Sequence, residues 1–189
     1  QEFAKGFIPQ SINIGLGGEF APWVGTLVAD VNQSLILVTE PGKEEETLIR
    51  LRRIGFDKVL GYLEGGFASW TKAGKEVDTV TQITGEELAQ VFSENNTRLV
   101  DVRKESEYEK GHVLGAMNKP LADINHWIDL VPPKEHFFLH CEGGYRSMMA
   151  ASILQARGYR NFTEVKGGFS ALNKTNIPKI PSTLATNLN

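Results

Sequence analysis

Short apolar runs alternate with amphipathic stretches along the 189 residues. In the second half, Leu99-Val100-Asp101-Val102, Phe137-Phe138-Leu139-His140 and Phe162-Thr163-Glu164-Val165 are brief, apolar and bounded by polar or turn residues, as buried strands are. Ala116-Met117-Asn118 predicts a further strand after a turn running from Gly111 to Gly115. Thr84-Gly85-Glu86-Glu87 has the spacing of a capping box, and Leu88, Val91 and Phe92 follow at helical intervals until Asn95-Asn96. A second helix runs from Ser147 to Ala156 and stops at Gly158; a third opens at Phe169. The first half repeats the order: strand 35–38, helix 44–53, Gly55, strand 59–63, Gly65-Gly66, then a helix holding Trp70. Strands alternating with helices predict an α/β fold, with a mostly parallel sheet covered by helices on both faces.

The repetition reaches individual residues. Glu2-Phe3-Ala4-Lys5-Gly6-Phe7 aligns with Glu107-Tyr108-Glu109-Lys110-Gly111-His112 at an offset of 105, and Trp23-Val24 with Trp127-Ile128. Residues 34–40 align with 136–142, and Glu64-Gly65-Gly66-Phe67 with Lys166-Gly167-Gly168-Phe169, where the offset has drifted to 102. Four blocks in one order indicate a tandem duplication of a domain of about 100 residues. Residues 1–79 form the first copy, 80–178 the second, and 179–189, rich in Pro, Thr and Asn, a mobile tail. The first copy lacks a counterpart of Arg98-Leu99-Val100-Asp101-Val102-Arg103, so it is expected to be missing its N-terminal part.

Composition narrows the function. Twenty basic against 23 acidic residues give a net charge of −3, which disfavours non-specific nucleic-acid binding. No apolar run reaches a membrane span, and the chain opens without a signal-peptide pattern, so a cytoplasmic protein is expected. No Cys/His cluster has metal-ligand spacing, so neither metal nor cofactor is expected in this fragment.

The single cysteine changes the picture. Cys141 follows an apolar strand, and a loop with Gly143 and Gly144 leads from it into a helix. Such a loop turns backbone N–H groups inward, the helix N-terminus adds partial positive charge, and Arg146 adds a full one. All three favour a thiolate held in an anion cradle. At the matching positions the first copy carries Thr39 and Glu44; Pro41 removes a backbone donor, and Glu44, Glu45 and Glu46 oppose an anion.

Cys141-Glu142-Gly143-Gly144-Tyr145-Arg146 resembles the active-site loop of the rhodanese family. Leu99-Val100-Asp101-Val102-Arg103, Gly111-His112-Val113-Leu114-Gly115-Ala116 and Val165-Lys166-Gly167-Gly168-Phe169 resemble its other signature segments. The resemblance implies two rhodanese-like domains, the second active. It implies sulfur transfer, with Cys141 taking sulfane sulfur as a persulfide from a small donor such as a persulfide or thiosulfate. A thiol or cyanide would accept it. The donor would be bound by Glu142, Gly143, Gly144, Tyr145, Arg146 and Ser147, with Asp101 and Arg103 as structural support. Sulfurtransferases of the family have four residues between Cys and Arg, as here; phosphatase and arsenate-reductase relatives have one more. Those relatives, and a non-enzymatic binding module, are the alternatives. Glu142 is expected to favour a monoanionic persulfide over thiosulfate. Residues 51–66 are similar to the first rhodanese segment of bacterial fusions with an N-terminal metallo-β-lactamase-fold domain. The resemblance therefore implies such a domain upstream, holding any metal. His112, His126, His136 and His140 read as structural, Met148 and Met149 as core and rim.

Overall fold

The computed structural model describes residues 2–94, 96–131 and 134–182. The first half contains α1 (Glu2–Lys5), α2 (Phe20–Leu27), β1 (Leu35–Leu37), α3 (Glu44–Arg52), β2 (Val59–Tyr62) and α4 (Gly66–Lys72). The second contains β3 (Gln82–Thr84), α5 (Gly85–Val91), β4 (Leu99–Asp101), α6 (Glu105–Tyr108), β5 (Gly111–Val113), β6 (Met117–Asn118), α7 (Ile124–Trp127), β7 (Phe137–His140), α8 (Tyr145–Ala156), β8 (Phe162–Lys166), α9 (Gly168–Leu172) and β9 (Lys179–Pro181).

Two compact units emerge. One comprises residues 1–5, 10–13 and 79–189, the other 6–9 and 14–78. The short segments 2–5 and 10–13 therefore group with the second copy: Val80 N–H donates to Ala4 O and Asn13 N–H to Ser152 Oγ.

The larger unit is built on a five-stranded parallel sheet in the order β3-β8-β7-β4-β6. Leu88, Leu99, Val113, Ala116, Val165, Leu172 and Ile177 form a core cluster, with Phe138 and Phe169 packed against it. α8 is buried along Ser147–Gln155. Its run Ser-Met-Met-Ala-Ala-Ser-Ile-Leu carries no charge, so it loses nothing by being enclosed on every side. α5 begins with the predicted capping box: Glu87 N–H donates to Thr84 Oγ1, and Thr84 N–H to the Glu87 carboxylate.

The smaller unit pairs β1 with β2 in parallel, and a cluster of Phe20, Val24, Leu51 and Phe56 lies beneath them. Ile36↔Gly61 and Leu37↔Tyr62 repeat the register of Phe138↔Thr163 and Leu139↔Glu164, offset by 102.

Two expectations are corrected. Residues 111–113 are not a turn but strand β5, antiparallel to β9, with His112 opposite Ile180. Lys179–Pro181 is correspondingly not a mobile tail. Pro181 pairs with Gly111 at one end of this ladder, and beyond its other end Leu114 N–H donates to Pro178 O at 2.9 Å. Lys179 Nζ also donates to Thr175 O and Ile177 O. Residues 183–189 of the expected tail lie outside the described residues. No helix among the described residues is long and apolar enough to cross a membrane.

Candidate active site

Cys141 sits at the C-terminal end of β7, in the centre of the parallel sheet, where such folds present their chemistry. Its side chain is 1 % exposed. The chain turns through Glu142, Gly143 and Gly144 and enters α8 at Tyr145. Gly144 adopts φ +105°, a conformation that a side chain would strain, and this aims its N–H at Cys141 Sγ, 3.1 Å away. The sulfur therefore meets a backbone donor at the mouth of a twelve-residue helix, whose N-terminal partial charge favours an anion.

A second glycine turn holds this loop from below. Gly167 and Gly168 both have positive φ, and a Cβ on Gly168 would lie 2.3 Å from Cys141 O. This close approach lets Phe169 N–H donate to Cys141 O at 2.7 Å and Ser170 N–H to Glu142 O at 3.0 Å. The other copy preserves the contact: a Cβ on Gly66 would lie 2.3 Å from Thr39 O. The paired glycines are thus a shared structural turn beneath the position that holds Cys141 in one copy and Thr39 in the other.

Arg103 lies behind the loop with its side chain 3 % exposed. Its Nε and Nη2 donate to the buried Asp101 carboxylate at 2.9 and 2.7 Å, Nη2 also to Gly111 O, and Nη1 to Glu142 Oε2 at 3.1 Å. Phe169 lies under the guanidinium, 4.0 Å from ring centroid to Cζ. Ser170 Oγ donates to Glu142 Oε1 at 2.7 Å, so both oxygens of Glu142 are engaged. Arg146 projects to α6, where Nη1 and Nη2 reach the two Glu107 oxygens at 2.5 and 2.7 Å. This pairing holds the Glu107 carboxyl below the usual carboxylate range. Tyr145 is 38 % exposed at the loop's lip.

His140 is wholly buried, and burial pushes its imidazole below the ordinary range against the opposing charge of Asp101. Cys141 O can only accept, so the His140 Nδ1 that approaches it at 3.1 Å carries the hydrogen of a neutral ring. His112 stacks on Tyr108 at a centroid distance of 3.7 Å. Among the described residues no group of three or more His, Cys, Asp or Glu could hold a metal ion.

Two polar residues of the site, Glu107 and Glu164, escaped sequence reasoning. Glu107 was hidden among the acidic residues around α6. Glu164, flanked by Phe162 and Val165 in a central strand, is fully buried and accepts from Gln82 Nε2 at 2.7 Å; Ser147 Oγ lies 2.6 Å from its other oxygen. A carboxylate amid an apolar run was its available signal.

Comparison with known proteins agrees with this architecture. The profile of the rhodanese-like domain matches residues 1–73 and again 84–175. The chain belongs to the rhodanese-like domain family. It is 36 % identical over 72 residues to the uncharacterized protein YqhL of Bacillus subtilis, covering 38 % of this chain and 57 % of that one. It is 28 % identical over 90 residues to the thiosulfate sulfurtransferase GlpE of Shewanella oneidensis, covering 48 % of this chain and 89 % of that one. The crystal structure of a rhodanese-like domain protein from Staphylococcus aureus overlaps 52 % of this chain and 96 % of its own, at 26 % identity and a TM-score of 0.47. The chain spans little more than half the length of YqhL. Sulfurtransferases are thus among the family's relatives of this chain, at low identity.

Proposed function

We propose that the second rhodanese-like copy is a sulfurtransferase in which Cys141 carries the sulfur. The observation that carries this reading is the Gly144 N–H on Cys141 Sγ, within a loop that has four residues before Arg146. The Gly144 N–H and the helix N-terminus suit a terminal sulfur anion, and the family membership agrees. The reaction is a double displacement. Cys141 thiolate attacks the outer sulfur of a donor R–S–S⁻; the S–S bond breaks and R–S⁻ departs, leaving Cys141–S–S⁻. An acceptor thiolate or cyanide then attacks the outer sulfur, and Cys141 leaves as thiolate.

Charge around the loop favours the donor class. Two guanidiniums, Arg103 and Arg146, are paired with three carboxylates, Asp101, Glu107 and Glu142. The positive charge of these two guanidiniums is already balanced by the carboxylates they pair with, so a monoanionic persulfide suits the site better than thiosulfate. Arg146 orients the donor from its Glu107 anchor, Tyr145 contacts the donor's organic part, and Ser147 adds a hydroxyl near the sulfur. The likeness of residues 51–66 to fusions with a metallo-β-lactamase-fold domain extends the proposal to cytoplasmic persulfide metabolism, with any metal in that upstream domain.

Intact mass after incubation with glutathione persulfide or thiosulfate tests the reading. A gain of one sulfur atom, lost in Cys141→Ser, is expected. No adduct with any donor, together with hydrolysis of a phosphate ester, would overturn it in favour of the phosphatase relatives.

A further inference from the structure

Ser147 has one hydroxyl hydrogen and two neighbours competing for it. Its Oγ lies 2.6 Å from Glu164 Oε1 and 3.5 Å from Cys141 Sγ. A hydroxyl donates once, so with Cys141 as the thiolate both contacts are hydrogen bonds only if Glu164 supplies a hydrogen of its own. The surroundings of Glu164 suit that. It lies on β8 between β3 and β7, fully buried, beside Leu139 in the β7 register. Its hydrogen-bond partners are neutral: Gln82 from β3 on Oε2 and Ser147 from α8 on Oε1. Among the described residues it has no ion-pair partner. A Cβ on Gly144 would come within 3.8 Å of Oε1, which puts this carboxyl directly under the loop that holds the sulfur. Burial raises its carboxyl above the usual range, against the lowering effect of the two hydrogen bonds.

We propose that Glu164 is a positioning residue for Cys141, its protonated form donating to Ser147 Oγ and so turning the Ser147 hydroxyl onto Cys141 Sγ. Gln82 Nε2–H fixes which oxygen is bare, because it needs Oε2 as acceptor; the proton is left on Oε1, facing Ser147. The sulfur anion then gains the Ser147 O–H beside the Gly144 N–H. Ionised Glu164 takes the Ser147 hydrogen along the shorter contact, and the sulfur loses that donor. The first copy has no such chain, since Glu45 and Tyr62 occupy the positions matching Ser147 and Glu164.

The inference rests on Cys141 being the reacting thiolate, but its test does not require sulfur transfer. Thiolate absorbance near 240 nm is followed against pH, with Cys141→Ser as blank, in wild type, Glu164→Gln, Ser147→Ala and the double variant. The glutamine amide reproduces the neutral acid: its N–H donates to Ser147 and its oxygen accepts from Gln82. Two coupled acids titrate over a wider range than one, so the wild-type curve is broad and that of Glu164→Gln sharper. The curves coincide at acidic pH and separate as pH rises, with a thiolate-to-thiol ratio about fivefold higher in Glu164→Gln at the widest point. Ser147→Ala lowers the ratio about fivefold, and in that background the effect of Glu164→Gln falls by at least half. Identical wild-type and Glu164→Gln curves would overturn the proposal. So would an equal Glu164→Gln effect with and without Ser147, since Glu164 would then act through its charge alone. Should Glu164→Gln not fold, the wild-type curve decides: a single-site titration overturns the coupling.

Discussion

The glycine turns beneath the two loops make the sharpest prediction, because the two copies supply their own control. Gly168→Ala adds a Cβ 2.3 Å from Cys141 O and 2.7 Å from Glu142 O, at φ +55°. The left-handed conformation alone costs about 1–2 kcal/mol for alanine. The overlap falls on backbone, not on a flexible side chain, so the loop must move by nearly an ångström. That movement breaks the Phe169-to-Cys141 and Ser170-to-Glu142 backbone bonds, each worth about 1 kcal/mol. A loss of about 3–4 kcal/mol follows, a large share of the margin of a domain this size. Gly66→Ala meets Thr39 O at the same 2.3 Å and φ +59°, and destabilises its own unit comparably. Gly143→Ala, which meets nothing within 4 Å, stays within about 0.5 kcal/mol of wild type. Urea denaturation measures each loss, and persulfide formation on the folded fraction separates the copies. Gly168→Ala slows sulfur uptake at least tenfold; Gly66→Ala leaves it unchanged. Full uptake and unchanged stability in Gly168→Ala would refute the claim that this turn sets the Cys141 loop.

The remaining predictions concern the first copy and pH. Thr39→Cys in a Cys141→Ser background gains no sulfur by intact mass, because Pro41 lacks a donor and α3 opens with Glu44, Glu45 and Glu46 where the other copy has Arg146 and Ser147; an adduct on residue 39 would contradict this. Glu164 has a raised carboxyl in the fold, so its stabilising contribution is complete below the unfolded value of about 4.3 and is lost as pH rises through the folded one. The stability of Glu164→Gln relative to wild type therefore grows from pH 4 to pH 8 in urea melts, and a difference independent of pH would show the carboxyl unperturbed. His140 acts oppositely: lowered in the fold, it contributes stability above about 6.5 that is lost as pH falls toward its folded value.

Much of the framework was legible because it rests on local rules. The capping box at Thr84, the apolar strand 137–140 and the uncharged run 147–154 each declare their structure within a few residues. α2 was legible in principle, since Phe20, Trp23, Val24 and Leu27 recur at helical spacing, but Pro22 and Gly25 obscured it. β5 and β9 were not, because their partners lie about 70 residues apart and neither alternates clearly. Arg146 shows the limit for the site: its position after the loop was plain, its engagement by Glu107 was not.

The sequence by itself determined that the domain is duplicated, that one cysteine follows a strand and precedes a helix, and that the other copy lacks both that cysteine and its arginine. These are facts of order and spacing, and order survives without coordinates. Only the tertiary structure decided which charges meet: Arg103 on Asp101 and Glu142, Arg146 on Glu107, and Glu164 reaching Ser147 beneath the sulfur. The reason is physical. Burial and pairing depend on neighbours distant in the chain, and they determine whether a carboxyl keeps its proton and where a single hydroxyl hydrogen points.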